Sequence, residues 1–418
     1  QAEKILSTRD SDTLSHHALN AIGLAMRANH QYDEALDHFK RALNAAPKDE
    51  ATGIQLEIAR TYVMSEHYAE AETTYKTLLD TLDPDTQAEQ IAAIHSGLGN
   101  VYQAENKLDE AIQQWMLAFK LYENQSNHNQ TARIICDMAQ ARSLAGDGKR
   151  ALSDYERALM LLNSVDKQTR GIVMANAAIA YADKGDVATT ESFFTEAIDI
   201  ARELNDTLAE ALRRNNYASY LIDIGHAQRA VVSLEHALKL IEEQDNPLYS
   251  AIFLDNMGLA YRALHKADKA LENHTLAENH LTEQEPSDWT LLNQLHFVET
   301  YLDLEQNEEA QNHLPKLESD TMDVAIQYHL TLARLRLVQK QFTEAGNAIN
   351  QAVAQAQSGY RQRLLAKALV LQSRIQAATD NKETASSTWE RAEKLLTMLQ
   401  MPKPNPNWLH LPSSIEEE

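Results

Sequence analysis

A repeat with a period near 40 residues constrains this chain more than any other feature of its sequence. Each copy has a small residue, a bulky residue four positions later and a second small residue three positions after that, as in Ala111, Trp115 and Ala118. Successive copies begin 36, 40, 40, 39, 40, 40, 40, 35 and 40 positions apart. The ten first members are Ala35, Ala71, Ala111, Ala151, Thr190, Ala230, Ala270, Ala310, Ala345 and Ala385. A fixed period of this length predicts a stacked array of similar units rather than one central core.

A second set of mostly small residues lies twelve positions before each of these first members. They are Gly23, Ala59, Gly99, Ala139, Ala178, Ala218, Gly258, Ala333 and Ser373, with Val298 as the exception. Spacings of three, four and seven place side chains on one stripe of an α-helix, where small residues let two helices approach closely. Each unit is therefore predicted to be an antiparallel helix pair, helix A followed by helix B. Turns between A and B are predicted at residues 29–31, 105–107, 146–148, 184–186 and 306–308.

The pattern resembles that of the tetratricopeptide repeat (TPR) superfamily. Residues 98–118 match it closely, with Gly99, Tyr102, Ala111, Trp115 and Ala118 at the positions of that family's small and aromatic residues. The usual period is about 34 residues. The longer period is similar to that of kinesin light chains, spindle-orientation adaptors and bacterial peptide-sensing regulators. The resemblance implies an all-α fold, a right-handed superhelical solenoid of about ten antiparallel helix pairs.

The register of the repeats divides the chain into three segments. Residues 16–400 are predicted to form the solenoid, and the proline-rich residues 401–418 an extended tail. Residues 1–15 are predicted to be the end of a preceding repeat, because Ala2 lies 40 positions before Ala42. The natural protein is therefore expected to extend further at this end, and the alternative is a lone capping helix.

Composition argues against several classes of protein. The net charge of −23 argues against nonspecific binding to nucleic acid or to an anionic membrane. No run of about 18 apolar residues occurs, so no membrane span is predicted. The single cysteine, Cys136, excludes an intrachain disulfide and a site of several cysteines, and it fits a cytoplasmic location.

The sequence shows no catalytic pattern. Residues 146–149 lack the spacing of a phosphate-binding loop and are interpreted as a turn between helices. The 16 histidines form no HExxH motif or other close ligand pair. His274 occupies the aromatic position of a B helix, where packing explains it. We therefore predict that the protein is not an enzyme and uses no cofactor or metal ion.

The A helices contain a ladder of asparagines. In the family that the chain resembles, A helices line the concave face, which implies a ligand groove there. Asn176, Asn216 and Asn256 occupy one position of three successive A helices, and Asp137 and His296 occupy it in the flanking repeats. An Asn amide can accept from and donate to a peptide backbone at once, which suits an extended ligand. The alternative is that these side chains tie neighbouring repeats together.

Charged residues of the A helices change sign along the predicted groove. Basic residues are expected to face it at both ends, namely Arg27, Arg60, Arg133, Arg334, Lys367 and Arg374. Acids lie in the middle, some near helix C-termini, where the helix dipole disfavours negative charge. The complete predicted partner-binding site is Asn100, Asp137, Asn176, Asn216, Asn256, Asp183, Asp223, Asp255, Arg262, Glu299 and Asp303. The expected ligand carries Lys or Arg near an extended stretch. The alternative is that the acids pair with Arg213, Arg214 or Arg262 and bind nothing.

A helical array with a polar groove predicts a scaffold or adaptor that holds an extended or helical segment of another protein. The alternative function is the sensor or regulatory arm of a larger signalling or transcriptional regulator, with its effector domain upstream of residue 1. In both cases the expected partner is a protein or peptide, and nucleic acid is not contacted directly.

Overall fold

The structure, a computed structural model, describes residues 15–29, 31–162, 166–242, 246–282, 287–319, 321–379 and 381–404. Every regular element in these residues is an α-helix, which confirms the all-α prediction. None of these helices combines the length and the apolar character that crossing a bilayer requires. The described residues form two compact units. Unit 1 covers those up to Arg142 together with Met160–Leu162, and unit 2 covers Ser143–Leu159 and those after residue 163.

Twenty helices occur in the described residues, with A helices numbered odd and B helices even. The first eight are α1 His16–Ala28, α2 Tyr32–Ala45, α3 Lys48–Met64, α4 Tyr68–Leu79, α5 Ala88–Ala104, α6 Leu108–Asn124, α7 His128–Leu144 and α8 Gly148–Leu161. The next six are α9 Lys167–Lys184, α10 Val187–Glu203, α11 Thr207–Asp223, α12 Ala227–Ile241, α13 Pro247–Ala263 and α14 Ala267–Leu281. The last six are α15 Asp288–Asp303, α16 Asn307–Asn312, α17 Met322–Val338, α18 Phe342–Ser358, α19 Gln362–Ala378 and α20 Lys382–Met398.

Packing within each unit follows the order of the repeats. An A helix packs against the B helix that follows it, as α5 against α6 and α13 against α14. A B helix then contacts the next A helix, as α12 contacts α13, and successive A helices such as α11 and α13 also touch. This is the stacked helix-pair arrangement that the repeat predicts.

The small and bulky residues of the repeat form the helix interfaces. Ala111, Trp115 and Ala118 are fully buried. The Trp115 ring packs so tightly on Gly99 that a Cβ added there would overlap it. Its Nε1 donates to the Ser96 carbonyl and to Asn100 Oδ1, each at 3.3 Å, so the buried indole N–H is satisfied. The first members of all ten copies are buried.

Most of the predicted turns lie between helices A and B. Residues 105–107 do so as expected, as do Gly185 and Asp186 of the turn predicted at 184–186, whereas Lys184 is the last residue of α9. Gly148, predicted to belong to a turn, instead opens α8. The turn predicted at 306–308 lies at 304–306, because α16 begins at Asn307. Residue 30, in the middle of the first predicted turn, is outside the described residues.

The eighth B helix is shorter than the repeat predicts. α16 ends at Asn312, so Leu314 and Leu317, which the repeat places on it, belong to a nonhelical segment. Pro315 explains the difference, because proline lacks an N–H and disfavours helical geometry in the residue before it. The helix prediction was therefore wrong beyond Asn312, although Leu314 still packs on buried residues of α15 and α17.

The predictions for the two chain ends fall largely outside the described residues, which exclude 1–14 and 405–418. Ser15 caps α1, and its Oγ accepts a hydrogen bond from the Ala18 N–H. After α20 the described chain continues without helix through residue 404. Met401 is buried beside Leu396 and Leu399.

Candidate ligand groove

Asp183 and Asp223, at the C-terminal ends of α9 and α11, are both paired with basic residues of α19. Arg363 lies between the two carboxylates. Its Nε is 3.0 Å from Asp183 Oδ1, and its Nη1 is 2.8 Å from Asp223 Oδ2. Lys367 Nζ is 2.6 Å from Asp223 Oδ1. Burial opposes ionisation of Asp223, but the charges of Lys367 and Arg363 outweigh it and lower the pKa of the carboxyl.

Glu299 and Asp303 of α15 share two arginines from the neighbouring A helices. Arg262 of α13 places Nη2 2.8 Å from Glu299 Oε2 and Nε 2.6 Å from Asp303 Oδ2. Arg334 of α17 also pairs with both acids. Burial opposes ionisation of Glu299, but the Arg334 and Arg262 charges prevail and lower its pKa to about 2. The network therefore bridges three successive A helices.

These contacts agree with the alternative that the groove acids pair within the chain, although most partners differ from those expected. Arg262 forms such pairs. Arg213 instead donates to the Ala197 carbonyl, and Arg214 donates to Glu210. A basic ligand would have to compete with the intrachain pairs for the groove acids.

Asp255, another of the predicted acids, accepts three hydrogen bonds in the interior of unit 2. Its Oδ1 accepts from His274 Nδ1 at 2.6 Å and from Asn293 Nδ2 at 2.8 Å. Its Oδ2 accepts from His296 Nδ1 at 2.6 Å. All four residues, here called the Asp255 cluster, are buried. Burial raises the pKa of Asp255, but the two histidines outweigh that effect and hold it well below its usual range.

Asp255, His274 and His296 together have the composition of a metal site, and their ligand atoms lie within 4.8 Å of one another. Its N···O separations of 2.6 Å match hydrogen bonds. Two ligands of a tetrahedral zinc ion would be roughly 3.3 Å apart, given bond lengths of about 2.0–2.1 Å. A metal on His274 Nδ1 would also leave the proton on Nε2, which is buried without a hydrogen-bond partner. The geometry therefore fits hydrogen bonds better than a metal ion.

The asparagine ladder links repeats in unit 2. Asn256 Nδ2 donates to Asn215 Oδ1 at 2.8 Å, and Asn215 Nδ2 lies 3.5 Å from Asn216 Oδ1. This contact joins α13 to α11 and agrees with the alternative in which the ladder ties repeats together. Asn176, Asn216 and Asn256 are all partly buried. An Asn side chain has two donors and two acceptor sites, so one tie leaves capacity for a ligand.

Unit 1 contains two predicted site residues. Asn100 is exposed on α5, and its Oδ1 accepts a hydrogen bond from Trp115 Nε1. Asp137 is partly buried on α7. Burial raises the pKa of Asp137 to about 7, even though the Arg133 charge acts to lower it. This carboxyl is therefore only partly ionised near neutral pH.

A histidine pair at the start of α1 also brings together atoms that could ligate a metal. Glu50 Oε2 is 3.1 Å from His16 Nε2 and 3.5 Å from His17 Nδ1, beside a cavity of about 320 Å³. All three residues lie in the first turns of α1 and α3. Helix N-termini carry partial positive charge, which disfavours a bound cation. We interpret the contact as a local histidine–carboxylate pair.

Sequence reasoning overlooked Arg363, which contacts two of the predicted site residues. It lies one helical turn before Lys367, which was predicted to face the groove, so the helical period could have included it. Another signal was the glycine in three successive A–B turns, at Gly146, Gly185 and Gly225. The structure places all three turns against the C-terminal repeats.

Comparison with known families identifies the repeat in part of the chain. One tetratricopeptide repeat family model matches residues 26–94, and a second matches residues 90–164. The sequence matches no curated protein.

Solved structures share the fold at low sequence identity. A Rap protein complexed with Competence and Sporulation Factor has a TM-score of 0.60 and 13% identity, over 84% of this chain and 99% of that one. Apo RapI has a TM-score of 0.58 and 12% identity, over 82% and 97%. The human IFIT1 dimer with m7Gppp-AAAA has a TM-score of 0.50 and 15% identity, over 94% and 93%. Residues 26–164 therefore contain tetratricopeptide repeats, and these solved structures share the stacked helix-pair fold of the chain.

Proposed function

We propose that the protein is a non-catalytic scaffold whose A helices bind a peptide or an extended segment of a partner protein. The observation that carries this proposal is the repetition of amide side chains at one A-helix position in unit 2. Asn216 and Asn256 stay only partly buried there, on A helices that touch each other. The shared fold is consistent with this role, since the Rap protein of similar fold was solved with Competence and Sporulation Factor.

The spacing of the ladder suits an extended chain. Packed helices lie about 8–10 Å apart, and an extended peptide advances about 3.3 Å per residue. One asparagine per A helix would thus meet roughly every third residue of the ligand. An amide can hold a peptide C=O and N–H without selecting a side chain. Such a groove recognises backbone first, and the charges around it set the side-chain preference.

Selection from a displayed peptide library on the full chain, followed by calorimetry with the selected peptides, tests this proposal. Asn216→Ala should weaken binding by about 1–3 kcal/mol, because it removes hydrogen bonds to the ligand. Asn216 is the better test residue, since Asn256 has a hydrogen bond of 2.8 Å to Asn215.

The matched control is Asn279→Ala, which removes the same amide from an exposed position on B helix α14. It should leave both affinity and urea stability unchanged. Selected peptides that bind wild type and Asn216→Ala equally would place the binding surface outside this groove.

A further inference from the structure

Three ion pairs in unit 2 connect helices that are far apart in the chain. Arg363 is 180 residues from Asp183 and 140 from Asp223, and Lys367 is 144 from Asp223. Repeat arrays are held mainly by contacts between neighbours. These pairs instead join α19 to α9 and α11 and bypass the repeats between them. We call these four residues the ionic latch.

The A–B turns next to the ionic latch also contact the C-terminal repeats. A Cβ added to Gly146 would lie 2.8 Å from the Gly359 Cα, and one added to Gly225 would lie 2.7 Å from Pro402 Cγ. A Cβ at Gly185 would overlap the Met398 carbonyl oxygen. Arg361 Nη1 donates to the Ser143 carbonyl at 2.7 Å in the same region. Gly146 and Gly185 therefore closely approach backbone atoms of the C-terminal repeats, and Gly225 approaches the Pro402 ring.

Glycine at these turns is required for the close contact with the C-terminal repeats and not only for the positive φ angle. Gly146, Gly185 and Gly225 have φ values of 87°, 83° and 80°. The other five A–B turns whose central residue is described also have positive φ, but hold Glu66, Asn106, His265, Glu305 and Lys340. Left-handed geometry is thus accommodated elsewhere without glycine. The sequence has glycine where a side chain would collide with the C-terminal repeats.

The contact is polar enough to be reversible. Side chains of Arg363, Asp183 and Asp223 are 14–19% exposed, and Lys367 is 47% exposed. Separating the charges returns them to water rather than leaving one buried without a partner. Of the three pairs, that of Lys367, which is about half exposed, is weakened most by salt and by competing charges. The apolar interfaces between neighbouring repeats lack that sensitivity.

We propose that the ionic latch holds unit 2 closed and inhibits the binding of basic partners in the groove. Such partners bind by displacing Arg363 and Lys367 from the carboxylates of Asp183 and Asp223. This inference rests on the proposed function, because it makes two predicted groove acids the point of competition. Binding and opening are then coupled: a cationic segment favours the open form, and opening by any other means raises affinity for that segment.

Dipolar EPR distances across the contact test whether the latch holds. Spin labels at Lys184→Cys and Thr397→Cys, both exposed positions, report on it in a Cys136→Ala background. Arg363→Gln/Lys367→Gln and Asp183→Asn/Asp223→Asn should each replace a short distance by a longer, broader distribution. Arg229→Gln, which breaks an exposed pair with Glu191 elsewhere in unit 2, should keep the short distance. A short distance in both double variants would overturn the latch.

A pair of synthetic peptides tests the coupling. The probe (Lys-Ala)4 should lengthen the distance in wild type, while (Gln-Ala)4 at equal concentration and ionic strength should not. Arg363→Gln/Lys367→Gln should bind the lysine probe more tightly than wild type, since its acids are released. The Asp183→Asn/Asp223→Asn variant should show the longer distance of the open form, yet it should bind the lysine probe more weakly than wild type does.

Equal binding of the lysine probe by the two double variants would overturn the competition, and so would its failure to change the distance in wild type. Either result would leave the library selection with Asn216→Ala as a separate test of the proposed function. If the library selection yields no binding peptide, the proposed function is refuted. The distance measurements would still decide whether the ionic latch holds.

Discussion

Asp255 is a charged residue in a position where an isolated charge would be costly, and three hydrogen bonds offset that cost. It accepts from His274 of α14 and from Asn293 and His296 of α15. Removing one donor would leave part of a buried carboxylate unsatisfied, which costs more than the net value of the bond. The cluster therefore stabilises the contact between α13, α14 and α15.

Acidification below pH 7 should destabilise unit 2 through His274. Burial lowers the pKa of His274, so the unfolded chain takes up a proton near pH 6.5 before the folded chain does. The free energy of unfolding is therefore retained above about pH 6.5 and falls as the pH drops below it. His274→Gln should flatten that fall and reduce stability at pH 7 by about 1–3 kcal/mol. Urea unfolding at pH 7 and pH 5 measures both effects.

The matched control for His274 is His236→Gln, since His236 is exposed on α12. It should preserve both the stability at pH 7 and the decline on acidification. If His274→Gln declines as steeply as wild type, the pH dependence originates at another residue.

Asp137 should have the opposite pH dependence. Burial raises its pKa to about 7, so between pH 4 and pH 7 the folded state holds a proton that the unfolded state has lost. Its contribution to stability is therefore present at pH 4 and lost as the pH rises through 7. Asp137→Asn should be more stable than wild type at pH 8 and about equal at pH 4 in urea unfolding. An equal difference at both values would contradict the raised pKa.

Helices and their interfaces could be predicted from sequence because each repeat buries the same small and bulky positions. The Trp115 site shows why, since even a Cβ at Gly99 would overlap that ring. The prediction failed for α16, where the repeat supplied Leu314 and Leu317 in register but Pro315 ended the helix. Periodicity records which face is buried, whereas helix length also depends on backbone hydrogen bonding.

Two alanines in the middle of α18 test the interface directly. Ala352, the second small residue of its repeat, is fully buried, and Ala354 is exposed two positions later. Ala352→Leu should destabilise the array by about 1–3 kcal/mol, because the added atoms overpack the helix contact. Ala354→Leu adds the same atoms to the solvent face of the same helix and should change the urea midpoint little. Equal midpoints for the two variants would mean that the assigned register is wrong.

At the scale of the whole molecule, the contact of α19 with α9 and α11 is what sequence could least predict. A repeat pattern specifies neighbours, and it holds no information on which distant repeats meet inside unit 2. Arg363 and Asp183 lie 180 residues apart and belong to ordinary A helices. The recurrence of glycine at Gly146, Gly185 and Gly225 marked the turns involved, but the pattern could not identify the helix ends that face them.

Gly185→Asn should open this contact without changing any charge of the ionic latch. Asn tolerates positive φ, so the main effect of the substitution is a side chain where Gly185 meets the Met398 carbonyl. The labelled Lys184→Cys/Thr397→Cys pair should then give the longer distance even at low salt. Wild type should reach that distance only as salt rises from about 0.01 M to about 1 M, where the Debye length falls from about 30 Å to about 3 Å.

His265→Asn is the matched control, because it places the same residue at the same turn position, with φ of 56°, in another repeat. That variant should keep the short distance at low salt, and a short distance in Gly185→Asn as well would show that glycine at this turn is not needed for closure.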